Sequence, residues 1–365
     1  MGVLGVDCAM MDVMPATRKK TVTPGATPRD ARNLLRSGEG ARALQMLGDR
    51  WCLLILRDAF LGARRFEDFR RLTGAARGTL TQRLNLLVQQ GVLYRNPYGR
   101  SPGRLEYRLT DKGMGFYPVA LALWSWESRW AGEFGLPPAL IHKRCGHAMQ
   151  PEATCGHCAR PIQPVEVLFE PGPGAKTTRA TPVGDERRRR TSHGPHAAGV
   201  DTTMFHSIDT IGDRWSVLLL AALFFGLHRY DDIFAAMGIA TNILSDRLQR
   251  FLSVGVIERK LYSTRPPRYE YRLTAKGWDL YPFAITLQDW GTTWLPAPNG
   301  PAIRLFHKPC HHALRVRMAC NVCHEPIDPH EVGVQASRGW RATRRLTRPA
   351  APAARKKAQA VRRKA

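Results

Sequence analysis

Six of the eight cysteines fall into two matched sets. His142-x2-Cys145-x9-Cys155-x2-Cys158 recurs as His307-x2-Cys310-x9-Cys320-x2-Cys323, at an offset of 165. Short x2 knuckles let thiolates and an imidazole converge on one tetrahedral ion, so each set is expected to hold one structural Zn2+. Four protein ligands leave no open coordination position, which favours structure over catalysis. His147 and His312 also recur, but a histidine two residues after a ligating cysteine is an awkward chelate, so His142 and His307 are preferred. A nucleobase-deaminase reading fails, because Met149 stands where His147 would need a glutamate two residues on. Cys52 faces Ser216 across the repeat in an apolar segment and reads as a small core residue. Cys8 lies in an N-terminal stretch with nothing nearby to lower its pKa. No Walker loop, paired-carboxylate site or nucleophile triad is present, so no catalytic residue and no enzyme activity are expected.

These clusters sit in a strongly basic chain. Its 365 residues carry a formal net charge of +25, which points to a polyanionic partner, nucleic acid first. The charge is uneven. Residues 335–365 hold eleven Lys/Arg and no Asp or Glu. Residues 1–33 and 171–200 are also basic, the latter through Arg187 to Arg190. All three read as solvated tails or a linker. The longest uncharged apolar run, Trp215 to Leu227, is shorter than the roughly 20 residues of a membrane span. With no secretory signal either, a cytoplasmic, nucleoid-associated protein with reduced thiols is expected.

A long internal repeat positions the clusters. Residues 47–130 align without a gap to 211–294, with 34 of 84 positions identical. Each copy reads as an apolar helix after a Gly-Asp-Arg-Trp turn, an amphipathic helix, a short turn and a further helix. In that last helix Leu80, Leu84 and Leu87 recur at helical spacing. The period then falls to two in Arg104 to Leu109 and Arg268 to Leu273, the mark of a half-buried hairpin strand. A final helix places Trp126 and Trp130, or Trp290 and Trp294, on one face. Helix, turn, helix and hairpin make a winged helix-turn-helix. The fold expected is mainly α with small β-hairpins: tandem winged helix-turn-helix domains, each with a small zinc-ribbon-like extension. The boundaries are a tail at 1–33, winged domain 34–135, extension 136–170, linker 171–200, winged domain 201–297, extension 298–334 and tail 335–365.

Gly-Asp-Arg-Trp, Leu53 to Asp58, Arg65-Phe66, Arg83-Leu84 and Glu106 to Gly113 together resemble the HxlR-type winged-helix regulators of bacteria. The second copy matches through Gly212 to Trp215, Asn242 to Leu248 and Tyr269 to Gly277. The resemblance covers about 40–170 and 204–334. It implies a DNA-binding transcriptional regulator, usually a homodimer joined through its terminal helices. Many members carry a redox-sensing cysteine about ten residues before the Gly-Asp-Arg-Trp glycine; Gly38 and Thr202 stand there, against thiol sensing by that route. The Trp-bearing helices are therefore candidates for an intrachain pseudo-dimer or for a homodimer, or else cap their own cores.

Candidate DNA contacts divide by task. Arg83 and Arg247, with Arg104 and Arg268 at the wings, suit phosphate. Thr79, Thr81 and Gln82 in one copy and Asn242, Ser245 and Asp246 in the other lie near the start of the recognition helix and suit base edges. Gln82 pairs bidentately with adenine whereas Asp246 only accepts, so two different half-sites of double-stranded DNA are expected. The alternatives are a non-specific architectural DNA-binding protein and a regulator switched by metal or oxidation at the cysteine clusters.

Overall fold

The computed structural model describes residues 34–35, 37–47, 49–98, 105–131, 137–176, 201–336 and 338–344. Cys8 and Arg104 lie outside them, as do residues 1–33, most of the linker and the end of the basic tail. Two expected boundaries shift. Residues 173–176 form a short 3-10 turn rather than linker, and Arg338–Thr343 form a helix where the tail was expected to begin. Arg344 is buried against Asp58 and Asp201, and the Trp340 indole N–H donates to Thr203 Oγ1 at 3.0 Å.

The first copy runs α1 (Glu39–Leu47), α2 (Arg50–Phe60), α3 (Phe66–Thr73), α4 (Arg77–Gln89), β1 (Leu93–Pro97), β2 (Leu105–Leu109), α5 (Asp111–Met114) and α6 (Tyr117–Trp130). Its extension holds β3 (Ala139–His142), β4 (Ala148–Met149), β5 (Pro151–Cys155) and β6 (Val167–Pro171). The second copy runs α7 (Phe205–Ile211), α8 (Arg214–Phe224), α9 (Tyr230–Met237), α10 (Thr241–Ser253), β7 (Ile257–Thr264), β8 (Pro267–Leu273), α11 (Ala275–Trp278) and α12 (Tyr281–Trp294). Its extension holds β9 (Ile303–His307), β10 (His312–Ala313), β11 (Val316–Cys320) and β12 (Val332–Gln335).

Local chemistry explains the repeated motifs. Asp49 and Asp213 are extended N-cap residues that accept from the Trp51 and Trp215 amides, both at 3.0 Å. A carboxylate there satisfies otherwise orphaned helix donors. Gly74 and Gly238 end α3 and α9 in the left-handed conformation, where a side chain would be strained. Leu80, Leu84 and Leu87 are fully buried, as the spacing required. Thr110 accepts from the Gly113 amide at 3.1 Å and donates to the Gly91 carbonyl at 2.6 Å, and Thr274 repeats both bonds. This threonine ties the end of each wing to the end of each recognition helix.

The two copies share one core. α12 packs on α1 and on α6. The Trp126 indole donates to the Lys276 carbonyl at 2.9 Å, and Trp290 donates to the Lys112 carbonyl at 3.0 Å. Gly291 is required by this contact: a Cβ there would stand 2.5 Å from the Glu39 carbonyl oxygen. Gly38 is equally confined, with a Cβ 2.9 Å from the Leu34 carbonyl oxygen, so no cysteine fits unchanged at that position.

The extensions are not two separate ribbons. β5 pairs antiparallel with β11, β3 with β12, and β6 with β9, so every one of these ladders joins one copy to the other. Ala153 faces Met318 at the centre of the β5–β11 ladder, and these residues are themselves 165 apart. A local two-fold therefore passes through that pair.

Candidate metal centres and nucleic-acid interface

The eight expected metal ligands form two clusters, divided differently from the sequence order. One holds His142, Cys145, Cys320 and Cys323; the other holds Cys155, Cys158, His307 and Cys310. The expectation of one complete set per copy is corrected: each cluster takes one knuckle from each copy. The reason is geometric. Strand β5 separates the two knuckles of the first copy by roughly 13 Å, at about 3.3 Å per residue. The antiparallel ladder then places Cys155 beside Val316 and Pro151 beside Cys320. The first knuckle of each copy thus meets the second knuckle of the other.

The atoms fit a tetrahedral ion. Zn–S near 2.3 Å and Zn–N near 2.05 Å give S···S edges of about 3.8 Å and S···N edges of about 3.6 Å. Cys145 and Cys320 sulfurs are 4.0 Å apart, and Cys155 and Cys310 sulfurs 3.9 Å. His142 Nδ1 lies 3.5 Å from Cys145 Sγ and 3.2 Å from Cys323 Sγ. His307 Nδ1 lies 3.5 Å from Cys310 Sγ and 3.3 Å from Cys158 Sγ. None of the described cysteines forms a disulfide, and those sulfurs stand about twice the bonding distance of roughly 2.05 Å apart.

Second contacts complete the fit. The Nε2 atoms of His142 and His307 are buried without a hydrogen-bond partner, facing Glu331 at 4.0 Å and Glu166 at 3.9 Å. An imidazole that ligates through Nδ1 directs its remaining N–H at such a carboxylate. Burial opposes ionisation of Cys155, but hydrogen bonds from the Cys158 and His157 amides together with the Cys158 and Cys310 thiols lower its pKa on balance; the Cys323 and Val322 amides with the Cys323 and Cys145 thiols do the same for Cys320. His147 and His312 are exposed and outside both clusters. Cys52 is fully buried, with burial pushing its thiol up to about 12, the inert state expected of a core residue.

On the opposite task, Thr81 and Gln82 are exposed near the start of α4, with Thr79 half-buried. Asn242, Ser245 and Asp246 are exposed on α10, and Arg268 is exposed on β8. Arg83 and Arg247 behave otherwise. Arg83 donates to Asp49 Oδ2 at 2.9 and 2.6 Å, and Arg247 donates to Asp213 Oδ1 at 3.0 Å. Both cations thereby tie the recognition helix to the cap of the preceding core helix. Asp246 also pairs with Arg247. Two contacts had escaped sequence reasoning. Arg65 stacks over Tyr98 and Arg229 over Tyr262, each 4.7 Å from the ring centroid. The signal was present, because both residues are identical between copies at the same spacing.

Two winged helix-turn-helix modules clasped by mixed Cys/His clusters define the class. The HxlR-like helix-turn-helix model matches residues 46–134 and 210–299, and the chain belongs to that family. The uncharacterized HTH-type transcriptional regulator Rv3095 of Mycobacterium tuberculosis is 42% identical over 141 residues, 38% of this chain and 89% of that protein. The uncharacterized HTH-type transcriptional regulator sll1512 of Synechocystis is 37% identical over 91 residues, 25% of this chain and 67% of that protein. Among solved structures, the Pseudomonas aeruginosa protein PA1374, described as a candidate transcription factor, is 31% identical with a TM-score of 0.30. It is matched over 36% of this chain and 90% of its own. The Rv3095 match is longer than either family match, so that similarity runs past the winged domain.

Proposed function

We propose that this chain is a sequence-specific transcriptional regulator that binds double-stranded DNA as an intrachain pseudo-dimer, in the cytoplasm at the nucleoid. The observation that carries the reading is the pairing of two family-type modules through three cross-copy ladders, with the exposed recognition-helix residues left uncovered in both. Thr79, Thr81 and Gln82 read one half-site, and Asn242, Ser245 and Asp246 the other. Arg104 and Arg268 contact phosphate from the wings, whereas Arg83 and Arg247 contribute by holding the recognition helices. Zn2+ at the two mixed clusters supplies structural cross-linking of the copies and no open position for chemistry. The basic tails add salt-sensitive, non-specific affinity.

Selection from random-sequence DNA with the purified full-length chain tests this. The reading expects an enriched bipartite motif with unlike halves. A palindrome would place the two-fold between chains instead, and no enrichment would favour a non-specific architectural role. A second reading, switching by metal loss or thiol oxidation, is favoured by the location of both clusters between the copies. DNA affinity unchanged after chelation would eliminate it.

A further inference from the structure

A cavity of about 430 Å³ opens in the first copy. Its walls come from three places: the end of α2 (Phe60, Leu61), helix α6 (Tyr117, Trp124) and strand β12 of the second copy (Val332, Val334). Wing residues Tyr107 and Arg108 close another side. The volume lies in the range of roughly 300–1,000 Å³ typical of small-molecule sites.

The internal repeat supplies a control. At the place related by the local two-fold, the counterparts of Leu61 and Val334 are Phe225 and Phe169, whose rings meet edge to face at 4.7 Å. The counterpart of Met114, another lining residue, is Trp278, whose ring lies 5.6 Å from Phe224. Larger rings thus stand at three of the equivalent positions, although Gln288 is smaller than its counterpart Trp124.

The lining is also one-sided in charge. Arg57, Arg64, Arg108 and His330 contribute to it, and no Asp or Glu does. Arg57 is committed to Asp58 and to the Asp201 and Thr203 carbonyls, and Arg108 to Glu106. Arg64 is exposed at the rim and has no ion pair among the described residues. An aromatic wall with a cation at its mouth suits a ring that carries one negative charge.

We propose that this cavity binds a small aromatic carboxylate, its ring against Phe60, Tyr117 and Trp124 and its carboxylate on Arg64. Such a ligand touches the wing and the second copy's strand together, so it biases their relative placement. That consequence for DNA binding rests on the function proposed above; the binding itself does not.

Isothermal titration of the full-length chain with 1-naphthoate and with its neutral counterpart 1-naphthalenemethanol tests the proposal. One naphthoate per chain is expected, held at least about tenfold more tightly than the alcohol at low salt. Leu61→Phe with Val334→Phe, the residues found at the two-fold-related positions, is expected to weaken naphthoate at least about tenfold. Arg64→Gln, at an exposed position, keeps the backbone bond from the Tyr107 amide, gives up only a through-space attraction to Glu106, and is expected to remove the preference for the anion while leaving the alcohol unchanged. Absence of saturable naphthoate binding, equal affinity for both probes, or wild-type affinity in the doubly filled variant would each overturn it. DNA affinity measured with and without naphthoate in the same samples reports only on the coupling.

Discussion

Arg83→Ala separates a positioning role from a phosphate contact. The wild-type guanidinium gives two N–H bonds to Asp49 Oδ2, at 2.9 and 2.6 Å, with both side chains about one-quarter exposed. A fully exposed pair would contribute almost nothing, and a buried charged bond about 2 kcal/mol. The partial exposure places this one near 1 kcal/mol. Urea unfolding should therefore show a loss of about 1 kcal/mol for Arg83→Ala, and a double-mutant cycle with Asp49→Asn should recover most of it as coupling. DNA affinity should fall only several-fold, through a less firmly held α4. The decisive quantity is the slope of log affinity against log salt. Each lost phosphate contact lowers its magnitude by about 0.9. Equal slopes for wild type and Arg83→Ala are expected; a slope reduced by about 0.9 would refute the positioning argument.

His206 stacks on Trp126 with ring centroids 5.0 Å apart, and burial, with Lys276 beside it, lowers its pKa to about 4. An unfolded histidine titrates near 6.5, so between those values the unfolded chain binds a proton that the folded chain does not. The stability is whole above pH 6.5 and declines by up to about 3 kcal/mol as pH falls to 4. His206→Gln, which still offers Lys276 an acceptor, should flatten this loss in urea midpoints at pH 7 and pH 5; parallel losses would remove His206 as the cause. Gly291→Ala forces α12 away from Glu39 and should cost about 1–3 kcal/mol by the same measurement. Trp290→Phe keeps a ring against Phe116 but loses the bond to the Lys112 carbonyl, part of the Lys112 contact on the ring face and some buried volume, so about 1–3 kcal/mol is expected. A loss above about 3 kcal/mol would exceed what these contacts account for.

Much of the fold was legible because its signals are local. The Gly-Asp-Arg-Trp turn, the leucine spacing of α4 and the two-residue period of β2 and β8 each depend on neighbours within a few residues. The eight metal-ligand types were legible for the same reason. Their partition was not, because identical knuckles in two copies satisfy one ion equally well within a copy or between copies. Only the register of β5 on β11, a contact between residues 165 apart, decides it. Arg83 and Arg247 show a related limit. Their identity between copies signalled a shared task, but a shared ion pair to Asp49 and Asp213 leaves the same trace as a shared phosphate contact. The Arg65–Tyr98 and Arg229–Tyr262 stacks were missed because the pairs are 33 residues apart and meet only after the wing folds back.

The central claim is that the metal centres join the copies, and metal content of two double variants tests it most directly. Cys145→Ser with Cys320→Ser removes two ligands from one mixed cluster, so one of two Zn2+ ions should remain per chain. Cys145→Ser with Cys155→Ser removes one ligand from each, so both sites should be impaired and metal content should fall towards zero under a competing chelator. Sites formed within each copy would give the opposite pair of results: near zero for the first variant and one ion for the second.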